Sequence, residues 1–487
     1  MDYPAKTTST YGKFRRTFIG DRKFYNMVLA LVVPIIVQNS ISNFVNLLDN
    51  IMVGQVGTVQ MSGVAIINQL LFVFNLTVFG GFSGPGIFGA QFYGAGDNDG
   101  LRHTMRFKLW TSVVILVSAF IIFLLFGDNL ISMFLTGEGD ASEASGMLYY
   151  GRSYLNIMLW GLPPFTLSQA YSSTLRETGE AMIPMKASIA AVFTNLILNY
   201  ILIFGKLGFP VLGVDGAAVA TVISRYVELA IIMIYAHRHS YRFKFIDGLY
   251  RSFKLPGKLA LRILKTGSPL LLNEFLWSLG MTFMAQIFST CGLNVVAGNN
   301  IASTIANLFN VVLFSMGTAI SVMAGQALGA GDIARAKAYV WKLIFLDSVV
   351  CLIIGGILAA LSPLIPLFYN TTDEVRKLAT HFIIINAVFM AFNAIANCCY
   401  FAIRSGGKTF ITFLFDCVYM WVICIPFTYV ITHYTSLSIY VIYPLSCATT
   451  IIKGLIGILI VKTGFWAQNV VADKSAQKPL DLSTGQQ

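Results

Sequence analysis

Charge is scarce in this sequence. Only 11% of its 487 residues are Asp, Glu, Lys or Arg, 56% are hydrophobic, and mean hydropathy is +0.72. Soluble domains carry about 25% charged residues, so the composition argues against a soluble globular chain and predicts a polytopic membrane protein. Cysteine is sparse and unpaired. The seven (Cys291, Cys351, Cys398, Cys399, Cys417, Cys424 and Cys447) fall mostly inside apolar stretches with no CxxC pair, so they read as small core hydrophobes rather than a disulfide frame or zinc site. The five histidines (His103, His237, His239, His381 and His433) lie in loops or at helix ends without metal-ligand spacing, and no Ser/His/Asp arrangement is visible. Neither an enzyme nor a bound cofactor is expected. Alternating ten-residue segments, the signature of a membrane barrel, are missing too.

What is present is a run of apolar segments. Twelve of them, near 27–53, 63–88, 108–126, 150–173, 186–205, 214–236, 260–290, 298–323, 340–361, 380–403, 410–432 and 438–461, come close to the ~20 residues a bilayer needs. The fold class expected is an all-α polytopic membrane protein of twelve transmembrane helices. Residues 1–26 read as a basic N-terminal tail with no cleavable leader, and 463–487 as a polar tail that is disordered in part. The net charge of +11 would point to nucleic acid in a soluble protein; here it belongs to loops on one membrane face. Of 33 Lys and Arg, only Arg152, Lys206, Arg376 and Lys377 fall on the opposite face, and Arg225 and Lys453 lie within spans. By the positive-inside rule both termini are expected in the cytoplasm, with no nucleic-acid partner.

The basic stretch between His237 and Lys265 divides the spans six and six, and the chain repeats across it. At a constant offset of 235 residues, Gly57, Gly63, Ile66, Phe74, Asn75 and Phe79 match Gly292, Gly298, Ile301, Phe309, Asn310 and Phe314. The same offset takes Gln91-Phe-Tyr-Gly-Ala-Gly-Asp97 onto Gln326-Ala-Leu-Gly-Ala-Gly-Asp332, and Pro34 onto Pro269. Six spans per copy keep the same topology, so the repeat is parallel, about an axis normal to the membrane. The domains expected are an N-lobe at 27–236, a cytoplasmic linker at 237–259 and a C-lobe at 260–462. Such repeats usually mean two bundles rocking around a central site, which points to a transporter. The GAGD turns read as structural: glycines stop one helix and the Asp caps the next.

The first span, Met27 to Gly57, is the most informative. It carries Pro34, a polar row of Gln38, Asn39, Ser42, Asn43 and Asn46, and one carboxylate, Asp49. A carboxylate in an apolar span costs several kcal/mol unless it meets water, a cation or a hydrogen-bonding partner, so it marks a functional site by default. In the fifth span Asn195 and Asn199 share a helix face, and Gly216-Ala-Ala-Val-Ala-Thr221 opens the sixth with small residues that permit close packing. Two readings stand for the amides and the hydroxyl. They are interhelical hydrogen-bond glue, or, with the carboxylate, the oxygen ligands a hard cation such as sodium accepts.

These residues carry a resemblance. Asp49 before MVGQVG, the AQFYGAG and GQALGAG turns, Asn195-Leu-Ile-Leu-Asn199, Gly216-Ala-Ala-Val-Ala-Thr221 and Arg404-Ser-Gly-Gly-Lys408 together resemble the bacterial-type multidrug and toxic compound extrusion (MATE) transporters over nearly all of 27–460. The resemblance implies two lobes around a central cavity. It also implies export of amphipathic, often cationic compounds driven by sodium or protons, from a monomer in the plasma membrane. It maps a cation site onto Asp49, Asn195, Asn199 and Thr221, so Na+ at these four residues is the one metal to consider. There are departures. Some relatives have a carboxylate where this chain has Asn199, and another where it has Asn393, eleven residues before Arg404. Glu274 sits five residues after Pro269, one turn from the acid of some relatives. Asn39, its counterpart by the repeat, together with Asn43, Glu274 and Asn393, make up the candidates for substrate contact.

Other charges inside the spans have simpler readings. Arg225 and Glu228, at i and i+3, are expected to form a local ion pair. Asp347, Asp416 and Lys453 lie on separate late spans; Asp416 and Lys453 either pair or line a water-filled cavity. The rival function is a lipid-linked oligosaccharide flippase of related architecture, which calls for a cationic cavity.

Overall fold

A computed structural model describes Arg15 and residues 17–134, 141–369 and 371–472; the rest of both tails lies outside this set, as does the side chain of Asn46. Among the described residues, twelve long helical elements follow one another. They are α1 (Arg22–Gly54), α2 (Thr58–Gly94), α3 (Asn98–Ser132), α4 (Ala141–Met158 and Leu162–Glu177), α5 (Met182–Phe204) and α6 (Gly213–Arg238), then α7 (Gly257–Ser289), α8 (Leu293–Gly329), α9 (Ile333–Leu361), α10 (Asp373–Ser405), α11 (Thr409–His433) and α12 (Ile439–Thr463). Ten of these, among the described residues, are long and apolar enough to cross a membrane. The exceptions have local causes. α4 is interrupted by a 3-10 turn at Leu159–Gly161, just before Pro163 and Pro164. α7 is polar, with Lys258, Arg262 and Lys265 near its start and Asn273 and Glu274 in its middle.

The repeat seen in the sequence is a repeat of helix boundaries. α1, α2 and the start of α3 recur as α7, α8 and the start of α9 at the same offset. α2 and α8 each run 37 residues, ~55 Å, well beyond the hydrocarbon thickness and beyond the apolar runs that announce them. Both end in the GAGD turn. Gly96 (φ 74°) and Gly331 (φ 80°) take the left-handed conformation, after which Asp97 Oδ1 accepts from Gly100 N (2.8 Å) and Asp332 Oδ1 from Arg335 N (2.9 Å). These are the expected N-caps. Asp97→Ala or Asp332→Ala is expected to cost about 1 kcal/mol each, read from denaturation in detergent.

Two buried clusters form most of the core. The first joins α2 to α6 with Phe243, Phe245, Ile246 and Leu249 of the linker. The second joins α8, α9 and α10 with Trp466, and it also takes Phe24, Val28, Leu31, Val32 and Ile35 from the first half of α1. Beyond Pro34 the same helix runs on to Asp49, which bonds to α5 of the first lobe. α1 therefore bridges the lobes, with a proline, which lacks the i→i−4 donor, between its two attachments.

At the end of the bundle that carries the linker, here called the basic end, the lobes touch through backbone. A Cβ on Gly94 would lie 2.0 Å from the Gln326 carbonyl oxygen, and one on Gly329 would lie 1.9 Å from that of Gln91. Only glycine permits this reciprocal crossing.

Candidate functional site

The structure brings Asp49, Asn195, Asn199 and Thr221 together on α1, α5 and α6. Asn199 Nδ2 donates to Asp49 Oδ1 at 2.5 Å. The Asn195 amide satisfies both its ends when its oxygen faces the Thr221 hydroxyl (3.2 Å); its nitrogen then reaches Asp49 Oδ1 and Oδ2 at 3.0 and 3.2 Å. Local packing explains the assembly. A Cβ on Gly216 would meet the Leu202 carbonyl at 2.8 Å, so the small residues of α6 let it lie against α5 and present Thr221 to Asn195. α5 closes with Gly205 in the left-handed region (φ 63°).

Electrostatically the site is one-sided. Among the described residues no basic side chain pairs with Asp49. Asn199 and Asn195 are buried, and Asn199 Oδ1 has no hydrogen-bond partner. A carboxylate supported only by neutral donors, beside an orphaned acceptor, can take a proton or a small hard cation. An amide rotation would turn Asn199 Oδ1 towards either one.

Elsewhere in the first lobe, charges that the sequence places at span ends are drawn inside. Lys108 is wholly buried, with its ammonium 2.5 Å from Glu177 Oε1 and within 3.0 Å of the Ser173 and Thr174 hydroxyls. Arg176 donates to Gln38 Oε1 (2.9 Å), fixing α1 one turn beyond Pro34. The expected Arg225–Glu228 pair does not form among the described residues. Arg225 instead donates to the Gly161 carbonyl (3.2 Å) and lies 4.9 Å over the Phe165 ring, because the break in α4 frees a carbonyl facing it.

The second lobe holds a different network. Lys453 and Asp416 form an ion pair at 2.5 Å. Asn273 donates to Asp416 Oδ2 (2.9 Å) and lies 3.4 Å from the Tyr400 hydroxyl, which donates in turn to Glu274 Oε1 at 3.4 Å. Four helices meet here, and Asp416 sits in a π-helical stretch, Leu414–Cys424, of α11. Glu274 is half-buried at the lobe interface, 3.5 Å from where a Cβ on Gly80 would lie. Arg404 is buried beside it with its guanidinium 5.7 Å over the Phe79 ring of α2. Asn39 and Asn43 are half-buried on α1, whereas Asn393 is exposed on α10, so Tyr400 rather than Asn393 reaches Glu274.

Asn273 and Tyr400 are polar residues that sequence reasoning missed, and Arg404, named there only within a turn motif, was given no role at the interface. For Asn273 a signal existed: the 235-residue offset makes it the counterpart of Gln38, and both are buried amides tied to a second helix.

Comparison with known proteins agrees with this architecture. Residues 34–201 and 269–430 match the MatE family, the two matches beginning at Pro34 and at its repeat partner Pro269. The probable multidrug resistance protein NorM of Thermotoga maritima is 27% identical, covering 93% of this chain and 95% of its own length. The probable multidrug resistance protein YoeA of Bacillus subtilis is 26% identical over 86% of this chain and 90% of its own. A multidrug resistance MATE transporter solved in an outward-facing conformation superposes with a TM-score of 0.79 at 21% identity, over 92% of this chain and 97% of that one. With the family matched along most of both lobes, and the fold shared from end to end, this chain belongs to the MatE family of membrane transporters.

Proposed function

We propose that this protein is a drug-efflux antiporter that exports small amphipathic organic compounds, principally cations, in exchange for sodium or protons. It works as a monomer in the plasma membrane with its basic end in the cytoplasm. Relatives bearing multidrug-resistance names support the substrate class. One observation carries the coupling: Asp49 is held by two neutral amides of α5, beside a buried acceptor with no partner. A carboxylate in that setting gains most from a cation that comes and goes.

The mechanism follows from α1. Asp49 and Gln38 tie its second half to the first lobe, while residues 24–35 pack into the second. Neutralising Asp49 weakens its claim on the Asn195 and Asn199 donors and frees that half of the helix to repack, with Pro34 taking the bend. The lobes then move relative to each other. Ion and substrate need not touch; each has only to favour a different lobe arrangement. Glu274, with Asn39 and Asn43 across the interface, supplies polar contacts to substrate.

The deciding experiment is reconstitution in liposomes, following a fluorescent organic cation under an imposed sodium or proton gradient. Transport under one gradient and not the other names the ion. No transport under either, with folded protein, defeats this reading and favours the flippase. The buried Arg404, whose Nη1 has no partner, is the feature suited to an anionic lipid headgroup.

A further inference from the structure

Residues 464–472, which follow α12, do not leave the bundle. Gly464 turns the chain (φ 67°), Trp466 is buried in the second lobe's core with its indole donating to the Val461 carbonyl (3.1 Å), and the following residues cross to the first lobe. There they meet Gln91, a fully buried side chain near the end of α2. Gln91 Nε2 donates to the Ser405 carbonyl (3.0 Å) and the Gln468 carbonyl (3.1 Å), and its Oε1 accepts from Val470 N (2.7 Å). Every one of these partners belongs to the second lobe or to the chain that follows it. Asn469 donates to the Gly329 carbonyl (3.2 Å) and ties its own loop by accepting from Val471 N and Ala472 N. Arg262 donates to the Val470 carbonyl, while Val470 and Val471 pack against the first lobe's core.

The internal symmetry shows what this adds. Gln326, the repeat partner of Gln91, donates to the Glu177 carbonyl at the end of α4 (2.7 Å), as Gln91 does to Ser405 at the end of α10. Those two bonds are a matched pair across the seam, together with the Gly94 and Gly329 crossings. Among the described residues, the contacts of residues 468–470 with Gln91 have no such mate. In the first half the chain after α6 binds its own lobe instead, Arg102 and Arg106 donating to carbonyls of Lys244, Phe245, Gly248 and Leu249.

We propose that Gln468–Ala472 is a strap that docks on the seam at the basic end and holds that end closed, biasing the transporter towards the arrangement open at the opposite face. The inference rests on the alternating-access reading, since the seam must part for the basic end to open. When it parts, Gln91 loses every partner it has, and two partly buried hydrogen bonds to the strap resist that step.

Hydrogen–deuterium exchange of the full-length protein in lipid nanodiscs tests this without substrate or gradient. It is compared with a chain ending at Ala467, which keeps Trp466, and with Gln91→Glu, whose carboxylate cannot donate to Ser405 or Gln468. Both variants are expected to raise exchange at residues 88–97 and 324–332 about tenfold, the scale of one net hydrogen bond. Exchange at the opposite ends, around 55–58 and 290–293, should fall as that face closes. Unchanged exchange at the seam overturns the proposal, and so does a uniform rise at both ends, which would make the strap only a structural brace. An intact chain that transports nothing in liposomes overturns the exporter reading instead, so the two failures are distinguishable.

Discussion

Asp49→Asn is expected to abolish gradient-driven export while leaving the protein folded and able to bind its organic cation. The substitution is nearly isosteric and keeps an oxygen for the Asn199 donor, now at 2.5 Å from the carboxylate. What disappears is the charge. Without it the site has no reason to prefer a cation in one lobe arrangement over the other, and coupling is that preference. Coupling free energies of about 1–3 kcal/mol correspond to about 5- to 150-fold differences in affinity between states. Concentrative transport should therefore fall to the level of gradient-free liposomes. Binding of the fluorescent cation to detergent-solubilised protein should stay within about threefold of wild type, because the energy is lost from coupling rather than from the substrate site. Asn199→Asp tests the same site from the other side. It restores the carboxylate of some relatives and places two acids on one ion, which should tighten sodium binding. Unimpaired gradient-driven export by Asp49→Asn would remove the site from the mechanism.

Much of this was legible before any coordinates. The repeat register follows from matched glycines and the two QxxGAGD turns, and helix boundaries in both halves keep to it through the start of α3 and α9. Spacing puts Asn195 and Asn199 on one face and small residues predict that α6 lies close, but it was the family resemblance that joined them with Asp49 and Thr221 in one site. What stayed hidden was the burial of charge. Lys108, Arg176 and Arg404 stand at span ends in any hydropathy window, yet Lys108 and Arg404 are buried and Arg176 half-buried, each against a partner. Their partners lie on other helices, and no local pattern encodes that. The Arg225–Glu228 expectation went wrong for the same reason: i,i+3 spacing permits a pair, but the broken α4 offered a better acceptor. Residues 463–487 read as a polar tail disordered in part, although a tryptophan just beyond the last span was a hint that the chain as far as 472 stays docked.

The second large effect is expected at Lys453. Its ammonium lies 2.5 Å from Asp416 and within 5.3 and 5.6 Å of the Tyr419 and Phe415 ring centroids, so the pair is enclosed and little screened. Lys453→Met leaves Asp416 buried with Asn273 as its remaining donor, and removing one member of a buried pair costs about 3–5 kcal/mol. The double variant Lys453→Met/Asp416→Asn removes both charges and keeps a side chain that can bond Asn273; it should recover most of that loss, since replacing both ions avoids an unpaired one. The order of thermal stability in detergent is thus expected to be wild type, then double variant, then Lys453→Met, with the single variant melting several degrees lower. Function should follow the same order, but for a different reason. The chain from Asp416 through Asn273 and Tyr400 to Glu274 places a group at the lobe interface, so an uncompensated Asp416 would disturb Glu274 through hydrogen bonds rather than by unfolding. Lys453→Met should therefore raise the KM for an organic cation more than the double variant does, even below the melting temperature of both. Equal stability of the single and double variants would mean that Asp416 is carried by its hydrogen bonds alone, and that the ammonium is incidental to the second lobe.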